Sequence, residues 1–172
     1  MVNRIGIVVT IATLTSSSAY AENQWRIGAN LASYHIASTE EFNQLNLGVF
    51  VSTTFRSEHA FQYGVQIGGY SNSYRERTLY TLAFANWKVL DWKGAELRMG
   101  GFTGFFEYPN LIDQVEEANW PHIGNMVLAL GPSMVIRMDN GIDLTFGYLP
   151  VHGKEAKGVI TLQTSFAFGG NR

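Results

Sequence analysis

Apolar and polar positions alternate with a period of two through most of this chain, and the alternation falls into eight runs. The first, Gln24 to Tyr34, sets Trp25, Ile27, Ala29 and Leu31 on one face and Arg26, Gly28, Asn30 and Ala32 on the other. The second opposes Leu45, Leu47, Val49, Val51 and Phe55 to Asn46, Gly48, Phe50, Ser52 and Thr54. The third opposes Phe61, Tyr63, Val65 and Ile67 to Gln62, Gly64, Gln66 and Gly68. Thr78 to Val89, the fourth, is apolar on both faces and its register is left unassigned. The fifth opposes Leu97, Met99, Thr103 and Phe105 to Glu96, Arg98, Gly100, Phe102 and Gly104. The last three carry Leu128, Leu130, Met134 and Ile136, then Ile142, Leu144, Phe146 and Tyr148, then Ile160, Leu162, Phe166 and Phe168 on their apolar faces. Period two is the signal of strands, so the chain reads as all-β.

Eight alternating strands fit two closed barrels. A soluble lipocalin-type carrier turns its apolar face inward and shows charge to water. An outer-membrane barrel does the reverse. Here the polar face is rich in Gly, Asn, Gln and Ser and poor in Lys and Glu, whereas a water-facing exterior carries more charge. Trp25, Phe55, Phe61, Trp87, Trp92, Tyr148 and Phe168 cluster near run ends, as interfacial aromatic girdles do. The expectation is an eight-stranded antiparallel up-and-down transmembrane β-barrel with its apolar face outward. Arg56–Ala60, Leu90–Gly94 and Asp139–Gly141 are tight polar connections. Ile36–Gln44, Glu107–Asn125 and His152–Lys157 are mostly longer, with Arg75–Arg77 a short exception. Short periplasmic turns and longer outer loops are usual in such barrels, which puts both termini in the periplasm.

Residues 1–21 read as a removable leader. Arg4 is its one charge, Ile5 to Leu14 is apolar but too short for a membrane helix, and Ala19-Tyr20-Ala21 has a small-x-small cleavage pattern. The mature chain, 22–172, is then a single domain with 11 basic and 14 acidic residues, a net charge of −3. That balance gives no reason to expect a nucleic-acid partner. With no cysteine there is neither a disulfide framework nor a thiolate metal site.

An eight-stranded barrel is filled by side chains and has no open channel. Arg26, Glu96, Arg98, Arg137 and Asp143 fall on the inward face of the periplasmic half, where charges must pair. Gly28, Gly48, Gly64, Gly68, Gly100, Gly104, Gly131 and Gly147 also face inward. They either relieve crowding and let the wall bend, or hollow out a slot beside Phe50, Phe102 and Leu149. If Asp139-Asn140-Gly141 is a tight turn, Pro132 lies opposite Tyr148 and Pro150 opposite Leu130. Two prolines on one seam weaken the ladder there. They are terminators of the pairing, or they open a lateral gap for a lipid chain.

Several segments together resemble the lipid A palmitoyltransferase family of outer-membrane barrels. Ser33-Tyr34-His35 ends the first run where that family has an essential histidine, and Glu41-Phe42-Asn43 resembles its Glu-Tyr-Asn step. Tyr70-Ser71-Asn72-Ser73-Tyr74 resembles its Phe-x-Asp-Ser-Trp segment, and Tyr148-Leu149-Pro150 its Tyr-Ile-Pro step. The closing Phe166-x-Phe168 resembles the assembly signal of outer-membrane barrels, although Gly169 to Arg172 follow it. The resemblance implies transfer of a palmitoyl chain from phospholipid to a hydroxyl of lipid A, with the chain measured inside the barrel. It makes His35 a base or proton shuttle and Ser73 a nucleophile or stabiliser. It also implies an acyl pocket and lateral gate formed by Gly28, Gly48, Phe50, Gly68, Phe102, Gly104, Gly131, Pro132, Leu149 and Pro150. The chain departs from the pattern in having Asn72 in place of Asp and no N-terminal amphipathic helix before Trp25. His35 and Ser73 also have outward parity by simple alternation.

His35, His122 and His152 near the loops have no spacing suited to a shared metal with Glu107, Glu116 or Glu117, so no metal is expected. There is no phosphate-binding glycine loop and no GxSxG elbow, and no cofactor is expected. Loop residues Trp120, Pro109 and Pro121 offer a surface for headgroups or an external partner. Three functions remain open: a lipid A acyltransferase or acyl-binding relative, a non-catalytic structural or adhesion barrel, and a soluble lipocalin-like carrier. The partners expected for the first are phospholipid and lipid A. A monomer inserted by the outer-membrane assembly machinery is expected for both membrane readings.

Overall fold

The computed structural model describes residues 24–38, 41–56, 60–108, 116, 120–150 and 157–168. The expected leader, the start at Glu22, His152, Pro109, Glu117 and the Gly169–Arg172 tail lie outside the described residues. Nine strands are described: β1 Gln24–Ile36, β2 Leu45–Arg56, β3 Phe61–Ser71, β4 Arg77–Trp92, β5 Ala95–Glu107, β6 His122–Ile123, β7 Met126–Met138, β8 Ile142–Pro150 and β9 Gly158–Ala167. All pairings are antiparallel, β5 pairs with β7, and β9 pairs back onto β1. Eight strands thus form a closed up-and-down barrel, and β6 is a two-residue flap on β7. Closure leaves no open sheet edge.

The apolar face of each strand points away from the lumen. Val49 is 68% exposed and Leu130 67%, while Gln66 is 7% exposed and Thr54 1%. This is the arrangement set by alternation in β2 and β3, and it excludes a carrier of the lipocalin kind, whose apolar residues line the inside. β4, left unassigned from sequence, turns Thr78, Tyr80, Leu82 and Asn86 inward and Leu79 and Trp87 outward. Its inward apolar residues have space because glycines face them: a Cβ on Gly68 would lie 2.7 Å from the Tyr80 hydroxyl. At the end that carries the termini, Phe61 packs on Trp87 with ring centres 4.5 Å apart and Phe55 on Tyr63 at 5.4 Å. The tight turns of that end use Gly94 (φ 88°) and Gly141 (φ 85°) in the left-handed region, where glycine carries no Cβ penalty.

Two local features escape simple alternation. In β1, Asn30 pairs with Gly48 and Gln163, and Ala32 with Leu45 and Leu162, so Leu31 stands against no residue of β9 and against two, Asn46 and Leu47, of β2. This bulge flips the parity beyond it. Ser33 is buried and Tyr34 is 57% exposed. The outward direction expected for His35 is therefore corrected: it lines the lumen. In the third loop, Gly124 (φ 56°) turns the chain so that β6 pairs onto Val127 and Met126.

The charges assigned to the lumen meet at its terminus end. Asp143 accepts from Arg137 Nε and Nη2 at 2.9 and 2.8 Å and lies 2.9 Å from Arg26 Nη2. Glu96 accepts from Arg98 Nη1 at 2.9 Å and lies 3.6 Å from Arg137 Nη1. The remaining guanidinium donors reach Ser165 and Gly141 from Arg26, Asn86 and Ala60 from Arg98, and Gln62 from Arg137. Three cations, two anions and neutral acceptors form one floor. Breaking a buried pair on one side leaves a buried charge unanswered, at a cost of about 3–5 kcal/mol. Asp143→Ala is therefore expected to destabilise the barrel by about that amount in urea unfolding from lipid vesicles. Glu96→Ala, whose side chain is 21% exposed, should cost clearly less. Equal, small losses would contradict the floor as a stabilising unit.

Candidate functional site

A cavity of about 660 Å³ runs inside the barrel from the charged floor to the loop end, where His35, Ser73 and Trp120 line it. Of the residues assigned to the acyl pocket, Phe50, Phe102 and Leu149 line it. Gly28, Gly48, Gly68, Gly104 and Gly131 do not. Their faces are covered, Gly28 and Gly68 by the Phe50 side chain, Gly48 by Tyr70, Gly104 by Leu82, and Gly131 by the Tyr148 carbonyl and the Phe102 ring. The inward glycines therefore seat rings and neighbouring backbone, and the space lies between the rings they seat. Phe50, Tyr80 and Leu82 form the buried cluster, with Tyr70, Phe84, Phe102 and Phe106 packed on it. Tyr80 stacks on Phe106 at 5.3 Å, and the Tyr70 and Tyr108 hydroxyls are 3.1 Å apart. Burial pushes the Tyr108 phenol above its ordinary range, and its bond to Tyr70 pulls the other way.

The loop end of the cavity is polar, and its geometry follows from the β1 bulge. The bulge brings Ser33 inward, where its hydroxyl donates to Asn46 Oδ1. Asn46 Nδ2 donates to Ser73 Oγ at 3.4 Å and to the Ser71 carbonyl at 3.0 Å. Ser33 Oγ and Ser73 Oγ are 3.2 Å apart. Ser33 has one hydroxyl hydrogen and Asn46 Oδ1 takes it, so Ser73 is the donor in the last contact. The three side chains close a ring in which each donates to the next. The β2–β3 ladder stops at Gly48 and Tyr70, and above it the Asn46 side chain bridges the strands.

His35 stacks on Phe42 with ring centres 4.1 Å apart, and Phe42 meets the Tyr74 ring edge-on at 5.4 Å. Its Nδ1 is buried without a hydrogen-bond partner among the described residues. His35 and Ser73 thus share the cavity mouth, but no hydrogen bond joins them.

Asn72 has a different place from the one the resemblance implies. Its Oδ1 accepts from the Tyr74 and Glu76 N–H groups, both at 2.9 Å, and its Nδ2 donates to Thr78 Oγ1 at 3.2 Å. Its backbone N–H donates to the Glu76 carbonyl at 2.7 Å. Asn72 is 2% exposed and builds the β3–β4 turn, the local role for which asparagine suits turns. Its polar atoms are occupied and none is directed to His35.

The prolines stand where the β7–β8 ladder stops. Pairing runs from Arg137–Asp143 to Ser133–Gly147, while β7 begins at Met126 and β8 continues to Pro150. Leu128 N–H bonds Pro121 on that edge of β7, and alternation puts the missing N–H of Pro132 on the same edge. The Tyr148 carbonyl lies against Gly131, so the even positions of β8 face β7 and Pro150 lacks its N–H there too. The register expected from the Asp139-Asn140-Gly141 turn is the one observed. Gly147 and Leu149 line the cavity beside this seam.

Sequence reasoning missed Ser33 and Phe42. Ser33 is hidden by the bulge, which alternation does not announce. Asn46 was legible as inward, but its bridging of the β2–β3 gap was not. Among the described residues no group of three or more His, Cys, Asp or Glu could hold a metal ion.

No protein-family model matches the chain, and no curated protein sequence matches it. Among solved structures, it is similar to Neisserial surface protein A, at 11% identity and TM-score 0.51, over 88% of this chain and 100% of that one. It is also similar to the Yersinia pestis outer membrane protein Ail, solved in a phospholipid bilayer nanodisc, at 8% identity and TM-score 0.46 over 86% and 100%. A crystal structure of Ail gives 9% identity and TM-score 0.45 over 87% and 100%. At 11% identity the first likeness is one of fold.

The Asn72 turn can be checked directly. Asn72→Ala removes three side-chain hydrogen bonds from buried groups and is expected to cost about 2–3 kcal/mol. Asn72→Asp keeps both acceptor bonds and should cost about 1 kcal/mol. Unfolding midpoints in urea measure both, and equal stability of Asn72→Ala and the parent would contradict the turn role.

Proposed function

We propose that this chain is a barrel of the bacterial outer membrane that takes an acyl chain of a phospholipid into its lumen and passes it to a hydroxyl of lipid A. The observation that carries this reading is the aromatic-walled cavity bordered by a seam at which two prolines remove facing N–H groups. A chain in the bilayer can enter where the ladder is unmade, and the outward apolar face suits lipid as the surrounding solvent. On this reading the termini and the charged floor are periplasmic, the loop end faces outward, and the final Phe166-x-Phe168 serves assembly of a monomer.

The mouth then supplies the chemistry. His35, at the cavity mouth, is the base that takes the proton of the acceptor hydroxyl. The acceptor oxygen attacks the ester carbonyl, the bond to the phospholipid glycerol oxygen breaks, and the proton passes to that oxygen. The products are acylated lipid A and a lysophospholipid, so atoms and charges balance. Ser73 gives its proton to Ser33 rather than to His35, which assigns it to polar stabilisation and not to first attack. General-base catalysis of this kind contributes about 10²–10⁴-fold.

A non-catalytic barrel is the second reading. It is favoured by one observation: Asn72 is fully used in its turn and does not orient His35. Lipid A from cells that express the chain separates the two. A palmitate-sized mass gain is expected, lost in His35→Ala and reduced at least tenfold in Ser73→Ala. Pro132→Ala with Pro150→Ala restores both N–H groups and should lower transfer while raising stability. Unchanged lipid A mass with the folded barrel in the outer membrane would sink the transfer reading and leave the non-catalytic one.

A further inference from the structure

A second cleft, of about 590 Å³, lies between the first and second loops. Phe42, Ser73 and Tyr74 line both it and the lumen, so the Ser33–Asn46–Ser73 ring stands at the wall between two spaces. Its remaining lining includes Glu41, Gln44 and Arg75. Arg75 is held at φ 65°, an uncommon backbone state for a residue with a side chain, which marks positions fixed by their surroundings. The surroundings here are the Asn72 turn: Arg75 N–H donates to the Asn72 carbonyl at 2.9 Å, and Asn72 Oδ1 binds the N–H groups on either side. The turn thus presents Arg75 on a rigid support. The Arg75 guanidinium has no ion pair among the described residues, whereas Arg26, Arg98 and Arg137 are all paired.

The chemistry of the cleft narrows its ligand. A free guanidinium presents a planar fork of donors that matches a phosphate. The Glu41 carboxylate and the Gln44 amide can accept hydrogen bonds from hydroxyl groups, and the exposed Tyr74 ring offers a face for a sugar. A bare anion has no use for Glu41, and the glycerol diester of phosphatidylglycerol has no ring of hydroxyls to satisfy it. We propose that this cleft binds a phosphorylated sugar headgroup, with its phosphate on Arg75 and its hydroxyls towards Glu41 and Gln44. The inference rests on the acyl-transfer reading for the identity of that headgroup as lipid A. It adds the site at which the acceptor is held, across Ser73 from the acyl lumen.

The test uses the full barrel in a detergent that carries neither phosphate nor sugar. Binding of phosphorylated lipid A, fully dephosphorylated lipid A, phosphatidylglycerol and inorganic phosphate is compared for the parent, Arg75→Ala, Arg75→Lys and Arg77→Ala. Arg77 is exposed two residues away and does not line the cleft. Phosphorylated lipid A is expected to bind the parent at least about tenfold more tightly than the dephosphorylated form. Arg75→Ala should erase that preference, Arg75→Lys should keep part of it, and Arg77→Ala should keep it all. A gel-mobility shift on heating reports that each variant is folded. Equal binding of the two lipid A forms, survival of the preference in Arg75→Ala, or its equal loss in Arg77→Ala would overturn the proposal. Binding of phosphatidylglycerol or inorganic phosphate as tightly as phosphorylated lipid A would overturn its sugar part. A preference that is present while no acyl transfer occurs sinks the transfer reading and supports the cleft.

Discussion

Every backbone N–H and C=O in a wall one sheet thick has to be answered inside that wall when the medium outside offers neither donor nor acceptor. A wall in which β9 closes onto β1 and β5 pairs with β7 meets this constraint. The constraint also gives meaning to the places where strands continue but their ladder stops. Among the described strands three such places lie at the loop end, between β2 and β3, between β4 and β5 and between β7 and β8. The first and the last differ in kind. At β7–β8 two of the facing nitrogens belong to Pro132 and Pro150, which carry no hydrogen and need no partner. At β2–β3 the Asn46 amide takes the place of ladder bonds by reaching the Ser71 carbonyl. The β7–β8 gap has two fewer donors to satisfy, and the β2–β3 gap is bridged by a side chain.

The same economy governs the lumen. Its terminus end is sealed by five paired charges, which are tolerated away from water because each has partners at bonding distance. Above them, inward glycines let Phe50, Tyr80 and Phe102 lie against the wall, and the space between the rings is the cavity. The interior is thus graded from ionic floor through aromatic middle to hydroxyl and amide mouth. An acyl chain with an ester head suits that gradient, which is why the functional reading leans on the whole lumen and not on His35 alone.

Much of this was legible in the residues. Alternation in β2, β3 and β5 put Val49 and Met99 outside and Gln66 and Arg98 inside, because side-chain direction in a strand is fixed by parity. The Asp139-Asn140-Gly141 turn fixed the register that sets the prolines on one seam. What stayed hidden has physical causes. The register shift at Leu31 reverses direction for Ser33 and His35, and nothing in the local pattern signals it. In β4, ring-bearing residues face inward over glycines of the neighbouring strand, so neither face looks polar. Asn72 stands where the resembling family has Asp, yet its role is set by the N–H groups of Tyr74 and Glu76, which no motif reveals.

The central claim is that lipid, not water, meets the apolar face while the polar face looks inward. The chain has no cysteine, so single cysteine variants can be labelled cleanly. Fluorophores at Leu47, Val49 and Ile67, set against others at Gln66 and Asn86, can be exposed to quenchers attached to lipid tails in reconstituted vesicles. Strong quenching of the first three and weak quenching of the last two is expected. Quenching at Gln66 and Asn86 with Val49 shielded would contradict the account.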